Sequence, residues 1–579
     1  MPEDQVFVVA KETCLQPLGS QRFECPDRGT VDLQTSGTAI VETWSPVFPD
    51  AAYLKVTPLT LQDIPDISRS QNLVERKPTK RCYDFMKATH DQDDRSEPVR
   101  ATDESFSADG EAVTDAARQE TSWRTTAGSF DEDHDELPAR LNSGVFSWIR
   151  WKFFSTYRRI FTVVFLLNVA VGTWEMVSTG FKLNDPGMGF EMTDDMTTAA
   201  SANLFVAILS RNEHVINALF AIFTSVPTSK SLWIRRICAM IYSYGGIHSG
   251  CGVAATFWFG MYTSLILYEY FQGYQRSPAL SVLACVVLGL LVLILAAAHP
   301  RIRSAFHDHF EWTHRFGGWT LIAILWALVL VGALPRNNKR HAGFVINLAR
   351  TPSFYFVLLT TILVAYPWMR LKRHDIESEP LSDKAIRLNF KSGDLGLCSC
   401  VRLSDSPVKE THSFAAIPRT GRELGFSCIV SNAGDWTRRL INSPPRHMWT
   451  RGGPVNGMAK VARLFRPVVF VATGAGIGPV LSFVVGKPDH PVRILWSTRN
   501  SEKTFGNEIS SAVRQADPNA VIIDTDVSGR QNLVNQGYKL FKEAQAEAIC
   551  VVSNPRLTNE VVFEMESRGI PAFGPIWDS

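Results

Sequence analysis

The chain has 579 residues, too many for one hydrophobic core, so several domains are expected. Its 59 Lys and Arg against 57 Asp and Glu leave a net charge of +2, which gives no support to nucleic-acid binding, where a basic patch or stripe is needed. The ten cysteines are scattered, only Cys398 and Cys400 lie close together, and no Cys-x-x-Cys or zinc spacing occurs, so they read as reduced core and membrane residues.

Residues 1–145 are rich in Ser, Thr, Asp, Glu and Pro and are expected to be a mostly disordered cytosolic region, above all Thr102–Pro138. Met1–Ala10 holds acidic residues and an apolar stretch of only Val6–Ala10, too short for a secretory signal. Thr38–Pro65 carries enough apolar residues to dock, with no function assigned to it.

Residues 146–370 read as a transmembrane bundle. Six apolar runs occur, at about Ile160–Val177, Ala202–Phe223, Ile237–Leu267, Leu280–Ala298, Phe316–Ala333 and Phe354–Trp368, several near the ~20 residues that cross a bilayer core. Arg150, Lys152, Arg158 and Arg159 precede the first run. Lys230, Arg235 and Arg236 lie between the second and third, Arg301 and Arg303 between the fourth and fifth, and Arg370, Lys372 and Arg373 after the sixth. This bias predicts a multi-pass protein of the plasma membrane or an endomembrane with both termini cytosolic, although Arg336, Lys339, Arg340 and Arg350 fall on the other side.

After Trp368 short strand-like runs appear, then strands alternating with helical patterns. The expectation is a small β-barrel over 375–463 followed by a Rossmann-like α/β domain over 464–579. In the latter, the apolar run Val468–Thr473 enters the glycine turn Gly474-Ala475-Gly476-Ile477-Gly478-Pro479, and a helix leaves it. Glycines let a backbone approach a pyrophosphate, a helix N-terminus offers free N–H groups, and Pro479 suits a first turn. The next strand ends Trp496-Ser497-Thr498-Arg499. Ser497 and Arg499, assisted by Lys503, can hold a ribose 2′-phosphate, which favours NADPH over NADH.

The segment Gly474–Ser482, GAGIGPVLS, resembles the nicotinamide-binding turn of the ferredoxin-reductase superfamily. Upstream, Thr411-His412-Ser413-Phe414-Ala415-Ala416-Ile417-Pro418 resembles the flavin motif of ferric reductases and NADPH oxidases, with Ser413 in place of Pro. Gly434-Asp435-Trp436-Thr437 is similar to the Gly-x-Trp-Thr helix start of that superfamily. The resemblance is closest to fungal integral-membrane flavoproteins related to ferric reductases, including a transmembrane protein linked to asexual sporulation. It implies that His412, Ser413 and Phe414 contact FAD and that Gly434, Trp436 and Thr437 receive its pyrophosphate. It implies that Thr473, Gly474, Gly476, Gly478 and Pro479 bind the nicotinamide dinucleotide. Ser553-Asn554-Pro555 stands where such proteins have Cys-Gly-Pro near the hydride path, and Trp577 is the candidate aromatic cover of the flavin.

Proteins of this kind hold two haems between their third and fifth helices, each helix carrying two histidines. Here those helices carry His248 and His314 alone; the second positions read Tyr262 and Ala327 or Leu328. The sequence thus supports one b-type haem or none, with His248 and His314 as ligands and the surrounding glycines giving the macrocycle room. Depth is an objection: His248 lies well inside its run and His314 near the start of its own, unless the fifth helix begins near Ala305.

The function expected is a membrane-bound oxidoreductase passing electrons from NAD(P)H through FAD to a small-molecule or metal-chelate acceptor, with membrane lipid around the bundle and no nucleic-acid partner. The alternative is a degenerate reductase fold acting as a signalling or scaffold component.

Overall fold

The computed structural model describes residues 21–25, 29–33, 38–42, 56–60, 136–178, 188–273, 277–334, 343–391, 393, 395–419 and 425–576. The chain divides into two units, Met1–Tyr83 and Asp84–Ser579. In the first, β1 (Gln21–Cys25), β2 (Gly29–Leu33), β3 (Thr38–Glu42) and β4 (Val56–Thr60) form an antiparallel sheet in chain order. β3 and β4 fall within the apolar Thr38–Pro65 segment; positions 102–135 of the stretch expected to be disordered lie outside the described residues.

The second unit opens on a strap. Leu141 N donates to Ser567 O at 3.0 Å, Arg568 Nε to Pro138 O at 2.7 Å, and Arg140 pairs with Glu564 at 2.8 Å. Residues 138–141 therefore dock on the C-terminal domain.

The helical bundle comprises α1 (Thr156–Ser178), α2 (Met188–Leu209), α3 (Glu213–Phe223), α4 (Leu232–Ala239), α5 (Gly245–Phe271), α6 (Pro278–Ala298), α7 (His307–Ala333) and α8 (Pro352–Met369). Among the described residues, five segments are long and apolar enough to cross a membrane, one being Leu232–Phe271, which takes in α4 and α5. That is one fewer than expected. The run Ala202–Phe223 is two helices, because Arg211-Asn212-Glu213 interrupts it. Asn212 caps α3, its side chain accepting from His214 N at 3.0 Å, and a capping asparagine favours a helix start over a helix interior. The third run is also broken, by a 3₁₀ turn over Met240–Tyr244. Gly246 and Gly250 let α5 approach α1: a Cβ on Gly246 would lie 2.4 Å from Tyr157 O, as small residues permit between apolar helices.

The barrel contains β5 (Lys372–Pro380), β6 (Ala385–Phe390), β7 (Ser399–Ser404), β8 (His412–Ala415), β9 (Ile417–Pro418), β10 (Phe426–Ser431), β11 (His447–Thr450) and β12 (Val455–Asn456), with α9 (Asp435–Asn442) between β10 and β11. Its strand order is β12-β7-β11-β5-β6-β10-β9, and β8 pairs with β7. Because β8 and β9 are separated by Ala416 alone, they link β7 to β10 and nearly close an antiparallel barrel.

The C-terminal sheet is parallel. It is built of β13 (Val468–Thr473), β14 (Val492–Thr498), β15 (Val521–Asp524), β16 (Ala548–Val552) and β17 (Ala572–Phe573), in the order β15-β14-β13-β16-β17. Alternate residues feed two cores. Val468, Phe470 and Ala472 pack with α10 (Ile477–Gly486) and α11 (Asn507–Ala516). Val469 and Val471 pack with α12 (Leu533–Glu543) and α13 (Pro555–Glu566). Helices thus cover both faces, as the continuous apolar strands require.

Polar contacts lock the three parts together. Buried Glu213 accepts from Arg402 Nη2 at 2.6 Å, Arg370 Nη1 at 3.1 Å and Gly453 N at 2.7 Å. Asn217 bonds Pro454 O at 2.9 Å and Asn456 N at 2.8 Å, so α3 acts as a further partner for β12. Arg235 makes a two-pronged pair with Glu547 at 2.5 and 2.8 Å, and Arg236 meets Glu566 at 2.6 Å, tying α4 to the C-terminal domain.

Candidate functional site

Three clusters of the predicted residues form. The first is on β8. The rings of His412 and Phe414 lie 4.3 and 5.9 Å from that of Trp436, since alternate strand residues share a face. Ser413 lies on the opposite face, across from Arg402. His412 Nε2 and Trp436 Nε1 are both buried without a hydrogen-bond partner, and burial holds the His412 imidazole below its usual pKa. α9 starts at Gly434, which offers no capping side chain; the Thr437 hydroxyl turns back to accept from Ala433 N at 2.9 Å and Gly434 N at 3.0 Å. The first-turn N–H groups of α9 are thus left for an outside acceptor, a ready anion site.

The second cluster lies where the strand order reverses, between β13 and β16, the crevice at which open α/β sheets bind ligands. Thr473 Oγ1 and Ser553 Oγ are 2.6 Å apart there, and Ser497 is level with Thr473 on β14. Gly474 has φ +50°, a conformation suited to glycine, and Trp496 Nε1 fixes the turn by donating to Gly474 O at 2.9 Å. A Cβ on Gly476 would lie 2.2 Å from Val552 O, whereas one on Gly478 would meet nothing within 4 Å. Pro479 is the third residue of α10. Arg499 is well exposed and 3.8 Å from Asp526. Ser482 Oγ donates to Ala416 O at 2.6 Å, joining α10 to the end of β8; this link had no signal in the sequence. Trp577 lies outside the described residues.

The third cluster is in the bundle. The His248 and His314 rings face each other with centroids 6.0 Å apart. The depth objection disappears because α7 begins at His307 and α5 at Gly245, which brings both histidines to the same end. His248 Nδ1 is 2.9 Å from Ala207 O and donates to it, leaving Nε2 toward a cavity of about 1090 Å³ lined by both histidines, Arg211, Gly252, Gly318 and Trp319. Of the glycines near His248, Gly246 and Gly250 serve helix packing. Gly252 and Gly318, where an added methyl would meet nothing within 4 Å, open on the cavity. Beyond it lies a buried apolar cluster. Tyr262 and Leu328, where a second histidine pair is absent, are packed with Trp258, Phe259, Leu325 and Val329.

Two residues that the sequence did not single out connect the clusters. Arg451 sits 4.3 Å over the Trp368 ring and donates to Thr411 Oγ1 at 3.3 Å. Trp368 in turn lies 5.6 Å from Trp319 at the cavity wall.

Residues 458–579 match the family model of the C-terminal domain of adenylate-forming reductase 03009. The chain is 39% identical over 487 residues to adenylate-forming reductase 03009 of Coprinopsis cinerea, covering 84% of this chain and 45% of that protein. It is 41% identical over 451 residues to adenylate-forming reductase 06235 of the same organism, covering 77% of this chain and 42% of that one. The chain therefore spans less than half the length of these curated relatives. The 487 matched residues exceed the stretch from Lys372 to the C-terminus, so the similarity includes the helical region. Among solved structures, phthalate dioxygenase reductase is 14% identical over 36% of this chain and 69% of its own, TM-score 0.29. Ferredoxin-NADP+ reductase from Plasmodium falciparum is 14% identical over 36% of this chain and 97% of its own, TM-score 0.27. At that level the strand order, not these likenesses, defines the fold.

Proposed function

We propose that the chain is a membrane-embedded NAD(P)H-dependent flavoprotein oxidoreductase of ferric-reductase-like organisation. The observation that carries this reading is the meeting of the β13–β16 crevice with the β8 cluster through Ser482 and Ala416, which sets a nucleotide turn against a flavin strand. The reductase named in its relatives supports it.

FAD fits the residues present. The orphaned His412 Nε2 and Trp436 Nε1 await a polar ligand, and the uncapped start of α9 suits its pyrophosphate. One haem fits the cavity. Among the described residues no group of three or more His, Cys, Asp or Glu is placed to hold a metal ion, so two facing imidazoles suit a metal whose other ligands travel with it. The carbonyl of Ala207 fixes the His248 tautomer, as second-shell acceptors do. When bound, FAD supplies the conversion of two-electron to one-electron chemistry and haem a one-electron stop. The residues themselves position the nicotinamide at Thr473 and Ser553, exclude water with the Trp436 stack, and hold the 2′-phosphate of NADPH at Ser497 and Arg499. The apolar packing of Tyr262 and Leu328, where a second histidine pair would stand, favours an acceptor, a small molecule or metal chelate, on the same side as the flavin. Apolar helices and flanking arginines support a plasma or internal membrane as the bundle's setting, with both termini cytosolic.

The test is an anaerobic NADPH titration of the detergent-purified protein. A flavin band that bleaches and a Soret band that shifts are expected; a protein that yields no flavin on extraction overturns the reading. H248A and H314A should each lose the Soret band while keeping flavin bleaching. Ser553→Ala removes the partner of Thr473, a bond of about 1 kcal/mol. Stopped-flow bleaching should slow roughly fivefold at saturating NADPH, with half-saturation unchanged.

A further inference from the structure

We propose that Arg451 is an additional flavin-binding residue, whose guanidinium takes an anionic part of FAD, its pyrophosphate or its reduced ring, where the barrel meets the bundle. The inference rests on the flavoprotein reading above.

Arg451 follows β11 and opens the turn Arg451-Gly452-Gly453-Pro454. Its guanidinium is held from two directions. The Trp368 ring lies beneath it at 4.3 Å, a cation–π shelf. Nη2 donates to Thr411 Oγ1 at 3.3 Å, the residue immediately before His412. The third edge is vacant: Nη1 is buried and has no hydrogen-bond partner. A buried, unpaired guanidinium N–H is costly, and proteins retain one where a ligand completes it.

The neighbouring charges deepen that cost. Burial, together with Arg315 and Arg402, lowers the Arg451 pKa to about 10, and only Glu311 acts in the other direction. Glu311 is already engaged with Arg315 at 3.8 Å, and Arg402 already holds Glu213 at 2.6 Å. Of the charges acting on Arg451, two are arginines and one is an acid that is already paired. An anion with two oxygens, or a planar anionic ring edge, matches the fork of an arginine.

Position selects FAD among such anions. Arg451 belongs to the barrel and is hydrogen-bonded to the residue that leads into β8, the strand whose His412 also has a buried nitrogen without a partner. A haem carboxylate is the competing source, since Arg315 lines the cavity.

The experiment uses the full-length protein in detergent, stripped of flavin and titrated with FAD and separately with riboflavin by fluorescence quenching. The midpoint potential of the bound flavin is measured alongside, and thermal unfolding monitors the fold. Arg451→Gln should weaken FAD binding about tenfold or more, and Arg451→Lys should restore only part, because an ammonium lacks the fork. Loss for FAD with riboflavin binding and potential unchanged assigns the pyrophosphate. A more negative potential with weakened riboflavin binding assigns the reduced ring. Either supports the proposal. Wild-type FAD affinity and potential in Arg451→Gln overturn it, as does a loss of Soret absorbance with flavin binding intact. Should Arg451→Gln fail to fold, Trp368→Leu removes the shelf and keeps the charge; it should weaken FAD about threefold or more, and unchanged affinity there overturns the assignment. A wild-type protein that binds no FAD overturns the flavoprotein reading itself.

Discussion

Gly476→Ala is expected to slow NAD(P)H-driven flavin reduction roughly 100-fold, while Gly478→Ala, two residues on, keeps the fold and loses only nucleotide affinity. The two glycines belong to one turn but serve different needs. A methyl on Gly476 would sit 2.2 Å from Val552 O and 3.1 Å from Val552 C, backbone atoms of β16. No rotamer relieves that contact. The turn must lift away or β13 must part from β16, a strain of about 3 kcal/mol on the scale of overpacked sites. A displacement near 1 Å at a reacting centre costs roughly 100-fold in rate. Bound flavin should be retained, because the barrel core of Ile386, Leu388, Val401 and Met448 is separate from the C-terminal sheet. At Gly478 a methyl meets nothing within 4 Å and, on the proposed function, would stand where a pyrophosphate approaches, so half-saturation for NADPH should rise about tenfold with an unaltered melting temperature. Thermal unfolding and stopped-flow bleaching of both variants separate the effects. Wild-type NADPH affinity in Gly478→Ala would remove this turn as the pyrophosphate site.

Glu213→Ala is expected to uncouple the helical bundle from the barrel. The carboxylate is 2% exposed and serves two arginines and a backbone N–H. Deleting one partner of a buried ion pair costs about 3–5 kcal/mol, because the other charge is stranded. The low end applies, since the Arg370 side chain is 40% exposed and regains water. Flavin affinity should fall, since Glu213 holds Gly453 in the turn that Arg451 opens, and electron transfer to a haem bound as proposed should slow as the two modules lose register. Limited proteolysis between Met369 and Lys372 should accelerate. Glu213→Gln keeps the shape and should show the smaller loss. A Glu213→Ala protein with native haem reduction and proteolysis would show that α3 is incidental to the junction.

Several elements were legible in the residues because their causes are local. Val468–Thr473 followed by the glycine turn declares a buried strand and a close backbone approach, and β13 with α10 occupies those positions. Gly434-Asp435-Trp436-Thr437 declares a helix start, and α9 begins there, with Thr437 accepting from the N–H groups of Ala433 and Gly434 and leaving the first turn uncapped. Alternation along β8 separates Ser413 from His412 and Phe414, a consequence of strand geometry that a motif taken as a block obscures. The break at Arg211-Asn212-Glu213 was also written in the chain, as a capping asparagine between charges. It was masked by the apolar residues on either side, because hydropathy averages over a window while a cap acts at one residue.

From the sequence alone came the order of modules, the apolar helices, the glycine turn after β13, and the candidate pair His248 and His314. All of these rest on composition, periodicity or local turn chemistry. The tertiary structure decided what depends on residues far apart in the chain. It brought His248 level with His314 by starting α7 at His307, and it filled the region beyond them with Tyr262 and Leu328. It gave Gly246 and Gly250 to helix packing, and it joined Ser482 to Ala416 and Arg451 to Trp368. Such contacts follow from how closely helices and sheets approach one another, and that distance is set by the packing of whole surfaces, which no local pattern encodes.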